Sequence, residues 1–158
     1  MVKKVLILGI DPGIAITGYG ILDCKGDDIK IIASGSIQTS KNKTTQERLA
    51  ELYDDMLEII DTYKPDVASI EQLFYFKNLK TVIPVAQARG VIIMALAQKG
   101  IELAEYTPLQ VKQTITGFGR ATKEEVKQMT AIALNQSMPK LDDTVDAIAI
   151  ALCHYRQG

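Results

Sequence analysis

Val5-Leu6-Ile7-Leu8-Gly9-Ile10-Asp11-Pro12-Gly13 is the stretch from which the rest of the chain is read. Six uncharged residues, mostly branched and apolar, run into one aspartate and then a turn. A continuous apolar run of this length, closed by Pro-Gly, reads as a strand buried on both faces. Its carboxylate falls at the edge of the core, where an unpaired charge is costly and a bound cation relieves the cost. Asp-Pro-Gly is also good turn chemistry, so the stretch alone fits an aspartate that only shapes the turn. Three further acids downstream, each at the end of an element, favour the cation.

The length of 158 residues corresponds to one domain, 1–158, since domains run at roughly 100 to 200 residues. Hydrophobic content of 47% and charged content of 23% are those of an ordinary globular chain. No apolar run reaches the ~18 residues a membrane span needs, and the chain starts directly into a strand without a signal peptide. The expectation is therefore a cytoplasmic protein with no membrane partner. Cys24 and Cys153 are isolated and have neither metal-ligand nor redox spacing; Cys153 falls in an apolar helix and reads as core. A net charge of −1 and a pI of about 5.8 count against a nucleic-acid partner. Acids clustered at one metal site would lower that sum, however, so the local distribution of charge decides more than the total.

After the turn, residues 14–22 alternate around Gly18 and Gly20 and form a second strand, in a hairpin with the first. Glycines inside a strand mark a place where another backbone or a ligand comes close. A polar stretch, 23–28, leads to a third strand at 29–37, which completes an antiparallel meander. Thr44-Thr45-Gln46-Glu47 is a capping box, followed by Leu49, Leu52, Tyr53, Met56, Ile59, Ile60 and Tyr63 at amphipathic helical spacing. Lys64-Pro65-Asp66 ends that helix, and residues 67–70 form a short strand running into Glu71. A helix between two strands is a crossover, so this strand is parallel to its neighbour. If the neighbour is the first strand, Asp11 and Glu71 meet at one sheet edge.

Residues 72–78, Gln-Leu-Phe-Tyr-Phe-Lys-Asn, hold three aromatics in a row beside Lys77. One or two of them pack inward, and at least one is offered to a ligand with flat faces. Residues 79–99 read as a long helix whose small residues, Ala86, Ala88, Gly90, Ala95 and Ala97, permit close approach by another helix. A strand at 101–106 follows, then Thr107-Pro108 opens a short helix carrying Lys112. The loop 116–121 is flanked by glycines, and a second capping box at 122–125 starts a helix to about 135.

The last helix, 143–155, is apolar nearly all round, yet Asp142, Asp143 and Asp146 stand at its start. The helix dipole favours acids there, and Asp142 or Asp143 suits the N-cap. That accounts for one or two of them but not for Asp146, whose partner by spacing is either Asp142 or Asp143. Acids ending two parallel strands and opening a buried helix, with no His or Cys cluster, point to Mg²⁺ or Mn²⁺ and away from zinc. His154, the single histidine, reads as surface. Two ions about 4 Å apart, with Asp11 as the bridging ligand, would suit in-line displacement at a phosphodiester.

Leu8-Gly9-Ile10-Asp11-Pro12-Gly13 with Thr17-Gly18-Tyr19-Gly20, and Ile70-Glu71-Gln72 with Phe74 and Lys77-Asn78, resemble the RuvC Holliday junction resolvases. So do Gln87-Ala88-Arg89-Gly90, Gln110-Val111-Lys112-Gln113 and Asp143-Thr144-Val145-Asp146-Ala147. The blocks cover nearly the whole chain in order. The resemblance implies an α/β, ribonuclease-H-like fold: a mixed five-stranded sheet, three antiparallel strands and then parallel ones, flanked by helices. It implies a homodimer that resolves four-way DNA junctions in recombination and repair, nicking two opposing strands symmetrically. The products would carry 5′-phosphate and 3′-hydroxyl ends. Catalytic and metal roles fall on Asp11, Glu71, Asp143 and Asp146, which leaves Asp142 outside the site. Two Mg²⁺ per site are implied, with Mn²⁺ able to substitute. Phe74 matches an aromatic used near the exchange point of the junction, and Lys112 and Lys123 match contacts to DNA phosphates. A branch-migration motor and a nucleoid-associated cytoplasmic location are implied as well. No role carries over to Tyr75 or Phe76.

The residues support these DNA contacts independently. Lys112, Arg120, Lys123 and Lys127 stand against Glu124 and Glu125, a local basic excess of the kind that holds a phosphate backbone without reading sequence. An alternative is another ribonuclease-H-like nuclease acting on RNA/DNA hybrids or linear DNA; it would share the acids but has no reason to share the Phe74 and Lys112 blocks. An actin-like ATPase also opens with a strand ending in Asp-x-Gly, but 158 residues leave no room for its second lobe.

Overall fold

The computed structural model describes residues 2–72 and 79–157. The elements, in chain order, are β1 (Val5–Asp11), β2 (Ile16–Lys25), β3 (Asp28–Gln38), α1 (Thr45–Tyr63), β4 (Val67–Glu71), α2 (Leu79–Gln98), β5 (Glu102–Tyr106), α3 (Pro108–Thr116), α4 (Lys123–Leu134) and α5 (Asp142–Gln157). The five strands make one sheet in the order β3-β2-β1-β4-β5. The first three pair antiparallel, and β4 and β5 join β1 in parallel, which is the mixed sheet expected. The aromatic run with Phe74 lies outside the described residues.

Local chemistry sets the helix ends. Thr44, Thr107 and Thr122 each accept a backbone N–H through the side chain, while the Glu or Gln three residues on returns a bond to the cap. Lys64, Gly117 and Asn135 close α1, α3 and α4 in the left-handed conformation. The start of α5 departs from expectation. Its first helical residue is Asp142, and the Leu141 carbonyl accepts the N–H groups of Thr144 and Val145 at 3.1 and 3.2 Å. Both acids therefore lie within the first turn, and neither is the cap.

Alternation along β1 divides the core in two. Leu8 and Ile10 pack with Leu52, Met56, Ile59 and Ile60 of α1 and with Ala88, Ile92, Ala95 and Leu96 of α2. Ile7 faces the other side, with Leu22 of β2, Val111 and Ile115 of α3, Leu134 of α4 and the apolar length of α5. Strand side chains alternate, so Gly9 and Asp11 share the α5 face with Ile7, and Ser69 and Glu71 share it with Val67. The register Ile7↔Val67 through Ile10↔Ile70 brings Asp11 and Glu71 side by side.

Two sequence expectations need correction. Over Lys80–Gln98, α2 is long and apolar enough to cross a membrane by length and composition, because Lys80 and Arg89 are too few to lower its mean hydropathy. One stripe of that helix nevertheless belongs to the core described above. His154 is not a free surface group: its Nδ1 lies 2.6 Å from the Tyr106 hydroxyl, and burial lowers its pKa. Cys153 is fully buried, as expected.

Candidate active site

The site exists because α5 lies directly on the sheet. A Cβ at Gly9 would run into the Ala147 carbonyl oxygen, and one at Gly18 into the Asp143 carbonyl oxygen. At Gly20 it would meet Ile148 Cγ1 at 2.7 Å. Gly18 is paired with Asp11, and Gly20 with Gly9. The three glycines thus form a bare patch on which the helix rests, so the close approach expected at Gly18 is that of a backbone and the one at Gly20 is led by the Ile148 side chain. Hydrogen bonds fix the helix there. Thr144 Oγ1 donates to the Gly35 carbonyl at 3.0 Å, and the buried Ser69 hydroxyl donates to the Ile150 carbonyl at 2.9 Å. The Asp-Pro-Gly turn is held by Thr17, whose hydroxyl donates to the Gly13 carbonyl at 2.6 Å and accepts its N–H at 3.2 Å.

This arrangement brings Asp143 and Asp146 to Asp11 and Glu71 in one cleft of about 510 Å³. Lys112 of α3 and Lys123 of α4 line it too, with Val111, Val126 and Val145 as apolar wall. Asp142 is exposed and does not line the cleft. All six sequence-predicted site residues outside the Phe74 segment line this cleft, and one contact among them was not foreseen: Lys123 Nζ lies 3.5 Å from Asp146 Oδ2. No feature of a single sequence signals it, since it depends on how the start of α4 meets the start of α5.

The electrostatics are those of crowded carboxylates. Burial, followed by the charge of Asp146, a hydrogen bond with Asp143 and the charges of Asp143 and Glu71, raises the Asp11 pKa to about 8. Burial also raises Asp146, against the pull of Lys123. Glu71 is open to solvent at the cleft mouth yet has protein over most of its surroundings. Desolvation and Asp146 push it up, while Lys112 and Lys123 draw it back. Lys123 in turn is raised, chiefly by Asp146. Among the described residues, no three acidic, histidine or cysteine side chains form a set that could hold an ion as they stand. The donors are all hard carboxylate oxygens beside a cleft with room for further ligands, which suits a divalent ion completed by water and phosphate.

A family model described as crossover junction endodeoxyribonuclease RuvC matches residues 7–154. The RuvC protein of Caldicellulosiruptor saccharolyticus is 51% identical over 150 residues, covering 94% of this chain and 90% of that one. That of Alkaliphilus metalliredigens is 49% identical over 154 residues, covering 97% and 94%. The structure of Thermus thermophilus RuvC in complex with Holliday junction substrate superposes with a TM-score of 0.91 at 30% identity, covering 97% of this chain and 94% of that one. On the family match across nearly its whole length, the chain belongs to the RuvC family of crossover junction endodeoxyribonucleases.

Proposed function

We propose that this cleft resolves four-way DNA junctions by metal-dependent phosphodiester hydrolysis, with Asp11, Glu71, Asp143 and Asp146 as the metal-holding and catalytic acids. The observation that carries the proposal is the convergence of those acids from β1, β4 and α5, beside Lys112 and Lys123. RuvC enzymes are metal-dependent nucleases; our finer reading is two Mg²⁺ per site, with Mn²⁺ able to replace them. Ions bound there would supply an activated water and stabilisation of the leaving oxygen. Asp11, central among the acids, would contribute to both ion sites. Lys112 and Lys123 would hold the phosphates of the strand to be cut, and Phe74, by resemblance, would stack near the exchange point. The test is cleavage of a mobile synthetic four-way junction with Mg²⁺: paired nicks in opposing strands are expected, each leaving a 5′-phosphate and a 3′-hydroxyl. Equal cutting of linear duplex or of RNA/DNA hybrid would instead favour the alternative nuclease.

The two lysines give a separate expected result. Each phosphate contact releases counterions, so Lys112→Ala or Lys123→Ala should reduce the slope of log affinity against log salt by about one unit. An unchanged slope in both variants would remove them from the DNA surface.

Symmetric cutting requires two sites, and we infer a homodimer formed through α2. Ile83 and Met94 are 59% and 55% exposed. Ala86, Gly90 and Ala97 are exposed between and beyond them, at the three- and four-residue steps of a helix–helix seam. At Gly90 there is open space, which leaves room for a partner helix. Ile83→Glu should convert a dimer to a monomer in sedimentation and abolish paired nicking. A variant still dimeric by sedimentation would move the interface elsewhere. We also place the protein in the cytoplasm at the nucleoid, working with a branch-migration motor.

A further inference from the structure

Phe118 is 69% exposed and sits in the loop between α3 and α4, the two helices that bring Lys112 and Lys123 to the cleft. The loop is tied down on both sides of the ring. Gly117 is left-handed at φ 86° and closes α3. The Thr116 hydroxyl lies 2.7 Å from the Lys112 carbonyl and accepts the Phe118 N–H at 3.0 Å, so one side chain fixes both residues. On the other side, the Ala121 N–H donates to the Phe118 carbonyl at 3.3 Å, and Gly119 lies so close to Leu109 that a Cβ there would strike its Cδ1. The backbone that carries the exposed ring is therefore held in place, with Gly119 against Leu109, itself 54% exposed.

A lone exposed apolar residue needs no explanation, but an exposed aromatic on an anchored backbone within a basic stretch does. Lys112, Arg120, Lys123 and Lys127 surround Phe118 in sequence, in a chain whose net charge is −1. Protein interfaces are depleted in lysine, whereas single-stranded nucleic acid is held by cations for its backbone and aromatic faces for its bases.

We propose that Phe118 stacks on an unpaired base of the junction strand whose phosphates lie on Lys112 and Lys123, a second aromatic contact apart from the Phe74 segment. The proposal rests on the junction-cutting reading and adds a contact to the same site. It predicts that the strand entering the cleft is unstacked beside the cut as well as at the exchange point.

The test uses the full chain and a synthetic four-way junction, with chelator present so that no strand is cut. The chain has no tryptophan, so Phe118→Trp introduces a single fluorescent reporter. Its emission should be quenched by the junction and much less by a fully paired linear duplex. Phe118→Ala should weaken junction binding by roughly five- to a hundredfold, the loss of one base stack, with an unchanged salt slope. Phe118→Tyr should restore it. Junction binding unaffected by Phe118→Ala, or equal quenching by junction and duplex, overturns the proposal alone. Failure of the unsubstituted protein to prefer the junction overturns the functional reading beneath it as well.

Discussion

Asp11→Asn is expected to bind four-way junctions normally and to leave them uncut. Asparagine keeps the shape of the side chain but removes the charge that would hold an ion, and Asp11 is the acid whose pKa the other three jointly perturb. Loss of an outer-shell partner costs metal sites about 10–100-fold, so removal of a ligand should reduce cleavage by more than about a hundredfold. Asp142→Ala serves as the control and should cut normally, because that side chain lies outside the cleft. Stability should change in the opposite direction from activity. With its pKa raised to about 8, folded Asp11 keeps a proton that the unfolded chain releases near the ordinary 3.8. The native state thus binds more protons across that window, and metal-free stability falls as pH rises through it. Each unit of difference corresponds to ~1.4 kcal/mol. Thermal unfolding in chelator should therefore show Asp11→Asn more stable than the parent at pH near 8, with the gap closing as the pH falls toward 4. A variant that is less stable at pH 8 and no longer binds junctions would make Asp11 a structural residue of the turn.

The sequence carried most of this site because its acids end elements that are easy to recognise. Residues 5–11 form a strand in every reading of their pattern, and the following crossover fixes the direction of β4. Once β4 pairs with β1 in the register Ile7↔Val67, alternation puts Asp11 and Glu71 on one face. Spacing alone left Asp142 and Asp143 open, since both lie on the first turn; the resemblance chose Asp143, and Asp143 rather than Asp142 lines the cleft. The absent N-cap at α5 was illegible for a related reason: Leu141, with no side-chain acceptor, gives the helix its first carbonyl. Lys123 on Asp146 and His154 on Tyr106 are tertiary pairs between elements far apart in sequence, and neither leaves a periodic trace. The apolar outer stripe of α2 was read as room for a helix, but no pattern says whether that helix belongs to the same chain.

Gly18→Ala should disable the enzyme without touching a charged group. The added methyl would be driven into the Asp143 carbonyl oxygen, with the Asp143 carbonyl carbon and Thr144 nitrogen also too close. All three are backbone atoms, so no rotamer change relieves the clash and the first turn of α5 has to lift. That turn is held by Thr144 on Gly35 and by Gly9 under Ala147, so lifting it strains bonds on both sides. Overpacking of this kind costs about 1–3 kcal/mol, and a displacement near 1 Å costs about a hundredfold in rate. Both losses are expected, as a lower thermal midpoint and slower junction cleavage. Gly9→Ala should be at least as severe, because it meets the Ala147 carbonyl. Gly20→Ala should be milder, because its nearest neighbour is a side-chain carbon, Ile148 Cγ1, which can turn away. The order of the three variants is the decisive reading. If Gly20→Ala proved the worst, or if Gly18→Ala unfolded and cut like the parent, the acids would owe their placement to something other than a helix resting on a glycine patch.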